Sequence, residues 1–252
     1  MPTAQRKGLD ANALKLIAIV AMTADHIAWL LFPGYSTAPI AVFMHIIGRL
    51  TCPVMCYFIA EGYHYTRSVR RYAARLFGFA FLSHFAYVFA SGDYVDARSF
   101  IPFYYGSVFN QTSVMWSLAW GLVLLCISDA KRLRTWVKVL LVLAVCLVAF
   151  PADWSCIASL CVLSIGANRG NPRKQAAWSL FYAALYALVY ALALSPLYGL
   201  LQLCVVLAIP FLGLYNGKRG ANPRHSRVMK WVFYAYYPLH LLLIGILREF
   251  VF

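Results

Sequence analysis

Long runs of apolar residues alternate with short polar stretches along the whole chain. A helix needs about 20 mostly apolar residues to cross the hydrocarbon core of a membrane. The pattern therefore predicts an all-α, polytopic membrane protein with nine transmembrane helices. The fifth and sixth segments are short, which predicts either tilted helices or one re-entrant pair. The predicted segments are residues 14–32, 38–60, 72–90, 112–128, 135–150, 154–167, 176–194, 197–215 and 228–247.

Composition supports a membrane protein, because 63% of the 252 residues are hydrophobic and only 12% are charged. Residues 1–252 are expected to form one transmembrane domain. The first apolar run is longer than a signal-peptide core and contains Asp25 and His26, which favours a retained helix over a cleaved signal. The seven cysteines lie in apolar runs without the spacing of a zinc site, so no metal is expected.

The basic residues are distributed unevenly among the predicted loops. Nineteen of the 22 Lys and Arg residues fall at the N-terminus, in alternate loops or within the first four residues of the segments that follow them. Since cytoplasmic loops are enriched in Lys and Arg, this pattern predicts a cytoplasmic N-terminus and a C-terminus on the outer side. The net charge of +14 is then a topological signal, and nucleic acid is not an expected partner.

Several ionisable residues interrupt the predicted helices: Asp25, His26, Arg49, His84 and His240. His26, His84 and His240 each lie twelve residues from the predicted inner end of their segment, a depth of roughly 18 Å. Such residues are expensive in a membrane and are functional-site candidates by default, although a structural Asp25–Arg49 ion pair with hydrogen-bonded histidines is the alternative.

A proline lies close in sequence to each of two of these residues, Arg49 and His240. Pro53 lies four residues after Arg49 and removes the hydrogen bond to its carbonyl group, while Pro238 lies two residues before His240. Both helices are expected to be broken. Interrupted helices are tolerated in membranes where the backbone lines an enclosed cavity.

A basic stripe follows the second predicted helix. Arg67, Arg71 and Arg75 recur every four residues, so they share one face of a helix. The stripe predicts either an anchor for anionic lipid or a phosphate-binding site, in which Glu61 would orient one arginine. The polar residues at 110–113, by contrast, are interpreted as the cap of the next helix.

Four stretches together resemble the TraX family: "LDANALKLIAIVAMTADHIAWLLF", "GRLTCPVMCYFIAEGYHYTRSVRRYAARL", "FNQTSVMWSLAWGL" and "KWVFYAYYPLHLLLI". That family is named for a conjugation protein that acetylates the N-terminus of pilin, and it belongs to a wider group of membrane acyltransferases that use acetyl-CoA. The resemblance implies a multi-pass enzyme of the bacterial cytoplasmic membrane.

The resemblance also implies roles for individual residues. His26 would be the catalytic base, Asp25 would orient it or balance a cation, and Arg49 or His240 would polarise the reacting group. Acetyl-CoA, as cosubstrate, would be bound by the basic segment and the "EG" motif, and an unidentified amine or hydroxyl acceptor would enter from outside. The resemblance implies Glu61, Arg71 and Arg75 at the acetyl-CoA site and Asn110 and Tyr237 at the acceptor side. Arg67 of the basic stripe is expected to join the acetyl-CoA site, and the intramembrane His84 is expected on the acceptor side.

Two alternative functions remain open from the sequence. Intramembrane Asp, His and Arg residues also form proton relays, so a proton-coupled transporter is one alternative. A noncatalytic pilus-assembly factor, in which Asp25 and Arg49 are only a structural pair, is the other.

Overall fold

The structure is a computed structural model that describes residues 8–92, 94, 96–103 and 110–251. Within these ranges the regular secondary structure is helical and there is no β-strand, which confirms the all-α prediction. Two short 3-10 helices, Ala97–Phe100 and Leu203–Leu207, supplement the α-helices. The α-helices are α1 (Ala11–Leu31), α2 (Pro39–Gly48), α3 (Thr51–Tyr65), α4 (Val69–Ser91), α5 (Val114–Asp129), α6 (Thr135–Ala149), α7 (Ser155–Ala167), α8 (Pro172–Ala193), α9 (Pro196–Gln202), α10 (Ala208–Gly213) and α11 (Pro223–Phe250).

Each of the nine predicted segments overlaps helical structure. In the described part of the chain, six helical segments are long and apolar enough to cross a membrane: Ala11–Leu31, Pro39–Tyr65, Val69–Ser91, Pro172–Ala193, Pro196–Gly213 and Pro223–Phe250. The apolar helices α5, α6 and α7 are shorter. The count of nine crossings and the positions of the termini therefore stay predictions.

Much of the outer surface of the helices is apolar. Leu147 on α6 is 76% exposed and Leu192 on α8 is 80% exposed, and many other large apolar side chains accompany them. A contiguous apolar surface of this kind is unfavourable in water and matches the hydrocarbon of a bilayer. The fold is that of a membrane protein.

Breaks in the helices occur at two positions. The second segment changes from α2 to α3 at Arg49 and Leu50, and Pro53 lies in the first turn of α3. The segment predicted at 197–215 is divided into α9, a 3-10 helix and α10, a break the sequence interpretation missed. The prediction of a second proline break is wrong, because α11 runs through Pro238 as one continuous helix.

Helices α5 and α7 pack closely through small residues. Ser117 on α5 and Ser159 on α7 share a 3.0 Å hydrogen bond, and Ser117 also donates to the carbonyl of Ser155. One turn further on, a Cβ added at Gly121 would lie 2.8 Å from the Cβ of Val162. Small residues at such an interface let two helix backbones approach each other in a membrane.

The segments that precede α5 and α7 are also joined by their backbones. The Gln111 N–H donates to the Pro151 carbonyl, and the Asp153 N–H donates to the Thr112 carbonyl, both at 2.8 Å. The next two residues, Trp154 and Ser155, have φ values of 62° and 48°. The starts of the two helices are therefore held in one fixed arrangement.

The Gly121 contact yields a test of the α5–α7 packing. We expect Gly121→Ala to lower the free energy of unfolding by about 1–3 kcal/mol, because the branched Val162 side chain is stiff and cannot move aside. Gly78→Ala on α4 is the matched control, since a Cβ added at Gly78 would have no neighbour within 4 Å among the described residues. Thermal unfolding in detergent measures both; equal stability of the two variants would contradict the close packing.

Candidate functional site

Asp25 on α1 is the centre of a buried polar network. Its Oδ1 atom accepts hydrogen bonds from His45 Nδ1 at 2.8 Å and from Arg49 Nη2 at 3.2 Å. His45 and Arg49 are four residues apart, so both point from α2 towards α1. A side chain at Gly48 would collide with Asp25, and glycine there allows the two helices to approach. The positive charge of Arg49 thus balances the Asp25 carboxylate.

Gln202 completes this network. It is the last residue of α9, where the segment predicted at 197–215 is interrupted. Its Oε1 atom accepts a 3.2 Å hydrogen bond from Arg49 Nη1, and its side chain is 1% exposed. An uncompensated charge would be costly in such a site, whereas here both the arginine and the carboxylate are bonded. The two broken helical segments therefore meet at Arg49.

His26 belongs to a second network, with His240 on α11. His26 Nδ1 lies 2.9 Å from the Met22 carbonyl oxygen, and His240 Nδ1 lies 2.8 Å from the Tyr236 carbonyl oxygen. A carbonyl oxygen only accepts hydrogen bonds, so both Nδ1 atoms carry the proton. His240 Nε2 is 3.2 Å from His26 Nδ1 and accepts from the same N–H group.

This arrangement fixes where His26 is basic. With the proton on Nδ1, a neutral imidazole has its lone pair on Nε2, and within the described residues that atom has no hydrogen-bond partner. The Tyr236 ring stacks on His240 with centroids 5.1 Å apart, while the Tyr236 hydroxyl bonds Thr23 on α1 at 2.6 Å. The histidine pair is held rigidly between α1 and α11.

The structure divides the four predicted catalytic residues into two pairs. Asp25 bonds Arg49, and His26 bonds His240. No hydrogen bond joins Asp25 to His26 among the described residues, because neighbouring side chains on a helix point about 100° apart. The geometry favours Asp25 as a partner of Arg49 over Asp25 as the group that orients His26.

A cavity of about 500 Å³ opens at one end of the bundle, between α1, α3, α4, α5 and α11. Glu61, Arg67 and Arg75, from the predicted acetyl-CoA residues, line it. Arg71 does not line it and is exposed, although it lies one turn before Arg75 on α4. The basic side chains at the cavity are Lys15, Arg67, Arg75, Arg219 and Lys230.

The cavity is positively charged, because the carboxylate in its lining, Glu61, is paired with Arg169 and not with a basic side chain of the cavity. None of its five basic side chains has an acidic group within 4.0 Å in the described part of the chain. The Nε atom of Arg75 is buried without a hydrogen-bond partner there, and the Arg75 guanidinium lies 5.7 Å from the Tyr72 ring centroid. A guanidinium without a counter-charge in an aromatic-lined pocket is suited to phosphate oxygens.

Glu61 has a different partner from the one expected. Its Oε1 atom accepts a 3.1 Å hydrogen bond from Arg169 Nε, in the turn after α7, so Glu61 does not orient an arginine of the basic stripe. The same hydrogen bond raises the pKa of Arg169. The pair joins the ends of α3 and α7 at the rim of the cavity.

The predicted acceptor-side residues do not form one group. His84 Nε2 donates to the Phe100 carbonyl at 3.2 Å, which ties α4 to the following 3-10 helix. Asn110, at φ 54°, approaches the Tyr190 hydroxyl of α8. Tyr237 packs against both histidines, with ring centroids 6.4 Å from His26 and 5.5 Å from His240. His84 was predicted to lie at the same depth in the membrane as His26 and His240. It nevertheless lies apart from this histidine pair.

Sequence reasoning assigned no role to five residues that the structure places at these sites. Gln202 is a lone amide in an apolar run, and His45 lies one turn before Arg49, so both left a signal in the sequence. Lys15, Arg219 and Lys230 were counted only as loop charges. Their convergence depends on α1 and α11 lying side by side, which the sequence does not reveal.

Comparison with known proteins gives two relatives and a family. A probable fimbrial assembly protein FimC, serogroup H1, from Dichelobacter nodosus is 29% identical over 257 residues, covering 97% of this chain and 99% of that protein. An uncharacterized protein RP591 from Rickettsia prowazekii is 40% identical over 65 residues, 26% of this chain and 23% of that protein. No solved structure matches.

The family model described as TraX protein matches residues 10–248, which contain both polar networks and the lining of the basic cavity. The chain belongs to the TraX family.

Proposed function

We propose that this protein is an acetyltransferase embedded in the bacterial cytoplasmic membrane. It would transfer the acetyl group of acetyl-CoA to an amine or hydroxyl group of an acceptor on the other side. The observation that carries the proposal is that the basic cavity and the histidine pair share the same two helices. Lys15 in the cavity lies eleven residues before His26 on α1, roughly 16 Å, and Tyr234 lies six residues before His240 on α11, roughly 9 Å.

The cavity suits the phosphate-bearing end of acetyl-CoA. Its basic side chains would bind the phosphate groups, and Tyr65 and Tyr72 offer aromatic faces for the adenine ring. The narrow arm that carries the thioester would extend along α1 and α11. Methionines Met55 and Met115 line the cavity, and flexible thioether side chains adapt readily to such a ligand.

His26 supplies the base that acyl transfer requires. Its free Nε2 would accept the proton of the attacking amine or hydroxyl as that group attacks the thioester carbon. The positive charge of the protonated His26 ring would be stabilised by His240 Nε2, which already accepts the His26 Nδ1–H. The same proton then passes to the departing sulfur. His240 is therefore a positioning residue for His26.

The Asp25 network has a supporting role in this proposal. It fixes α1 against α2 and α9 through His45, Arg49 and Gln202, and so sets the position of the neighbouring His26. A buried ion pair of this kind contributes specificity of packing more than net stability.

The acceptor is proposed to be a pilus or fimbrial subunit. The relative that matches nearly the whole chain is named as a probable fimbrial assembly protein, and family membership agrees with a pilus-related role. That name equally supports a noncatalytic assembly factor, which is the second candidate function. The two candidates differ in whether the protein consumes acetyl-CoA.

Replacing the proposed base tests the enzyme directly. We expect His26→Ala to lower the rate of acetyl-CoA consumption about 100-fold or more, because it removes the Nε2 atom that would accept the proton of the attacking group. The measurement is release of free CoA thiol by purified protein in nanodiscs, with water as the acceptor. The affinity for CoA should be unchanged.

His225→Ala serves as the matched control, since His225 is exposed near the start of α11, far along the helix from His240. It should keep full activity. Wild-type protein that releases no thiol, or His26→Ala protein with full activity, would favour the assembly factor.

The two arginines on α4 offer a paired test of the cavity. Arg75→Ala should weaken CoA binding about tenfold or more, because it removes a charged hydrogen-bond donor from the pocket. Arg71→Ala should change the dissociation constant less than about twofold, since Arg71 is exposed outside it. Calorimetric titration with CoA distinguishes them. Equal losses would mean that the whole stripe, and not the cavity, binds phosphate.

Asp25 is expected to contribute to the stability of the fold and not to the chemical step. Asp25→Asn leaves Arg49 buried without its counter-charge and should cost about 3–5 kcal/mol in unfolding free energy. Adding Arg49→Met removes the orphaned charge and should restore part of that loss. Thermal unfolding of both variants is the measurement. An Asp25→Asn protein as stable as the wild type but inactive would instead assign Asp25 to the chemistry.

A further inference from the structure

The first turn of α5 contains polar groups that the proposed mechanism does not yet use. Ser113 occupies the position before the helix, where a serine ordinarily accepts a hydrogen bond from the first-turn N–H groups, but its side chain makes no such bond. It is 0% exposed, and its Oγ has no hydrogen-bond partner in the described ranges. The capping role predicted for Ser113 from the sequence is therefore wrong.

Tyr237 on α11 presents a second unused hydroxyl at the same place. It is 1% exposed, and its hydroxyl is also without a hydrogen-bond partner among the residues described. The hydroxyl comes close to the Ser113 side chain and the Val114 N–H, but neither contact has the geometry of a hydrogen bond. The Tyr237 ring packs against His26 and His240. Buried hydroxyls are rarely left unbonded, so two together point to a missing acceptor atom.

The basic cavity reaches this turn of α5. Met115 and Leu118, in the first five residues of the helix, line the cavity, and Val114 and Met115 pack in one cluster with Met22 and Tyr237. The end of a ligand that enters along the cavity would therefore meet the start of α5. The first N–H groups of a helix have no partner within the helix and carry its positive dipole end.

We propose that Ser113 Oγ, the Tyr237 hydroxyl and the first N–H groups of α5 bind the carbonyl oxygen of the acetyl thioester. This inference rests on the proposed acetyltransferase function and adds two catalytic residues to it. All three groups donate hydrogen bonds, and the oxygen they surround becomes negative in the transition state. Preorganised donors of this kind stabilise an oxyanion in a water-poor site.

The complete step balances with these groups. The acceptor nitrogen or oxygen forms a bond to the thioester carbon as His26 Nε2 takes its proton, and the carbonyl electrons move to the oxygen held by Ser113 and Tyr237. The oxyanion then reforms the carbonyl, the carbon–sulfur bond breaks, and the proton on His26 passes to the sulfur. The products are the acetylated acceptor and CoA with a free thiol.

Removing each hydroxyl without changing the shape of the side chain tests the site. We expect Tyr237→Phe and Ser113→Ala each to lower the turnover rate for CoA release from acetyl-CoA about 100-fold or more. The dissociation constant for CoA, which lacks the acetyl group, should change less than about twofold. Thermal stability should not fall, because each variant removes an unbonded buried polar group.

Ser117→Ala is the matched control, one turn further along α5. The Ser117 hydroxyl is fully bonded to α7, so its loss should lower stability and leave turnover unchanged. Active wild type with full turnover in both Tyr237→Phe and Ser113→Ala would overturn the oxyanion site alone. A stability loss in those variants as large as that of Ser117→Ala would also overturn it. Wild type that releases no thiol overturns the acetyltransferase and this site together.

Discussion

A charge inside a membrane protein must be balanced close by, and the Asp25–Arg49 ion pair meets this requirement at the centre of the fold. The cost of removing two charges from water is large, and their attraction offsets it only with good geometry and additional hydrogen bonds. His45 and Gln202 provide those bonds. Three separate helical segments are consequently fixed around one carboxylate on α1.

The ion pair also explains how two neighbouring polar residues serve different purposes. Because Asp25 is occupied by Arg49 and His45, His26 faces α11 and meets a second imidazole there. Because its Nδ1–H bonds the Met22 carbonyl and His240, a neutral His26 keeps its lone pair on Nε2. Two adjacent positions of α1 therefore belong to two separate polar networks.

The sequence predicts the helical fold and most of the polar residues of the site, because apolar runs and intramembrane charges are local signals. It could not predict which of these residues meet, since pairings such as Arg49 with Gln202 join segments 153 positions apart. The break between α9 and α10 did have a local signal that the interpretation overlooked, because Pro210 lies in the first turn of α10 and removes the hydrogen bond to the carbonyl of Val206. Conversely, Pro238 suggested a break that the packing of α11 against α4 and α1 does not require.

Backbone hydrogen bonds join residues 111–112 to residues 151–153, so the loop after α6 helps to position the start of α5. The position of Ser113 depends on that loop as much as on α5 itself, in the way that one strand sets the register of its neighbour. A change of one residue in the length of the loop would displace the start of α5 while leaving every side chain near His26 intact. Relatives that differ in this loop would then differ in the alignment of the same groups, so variation far from the histidines becomes a source of functional divergence.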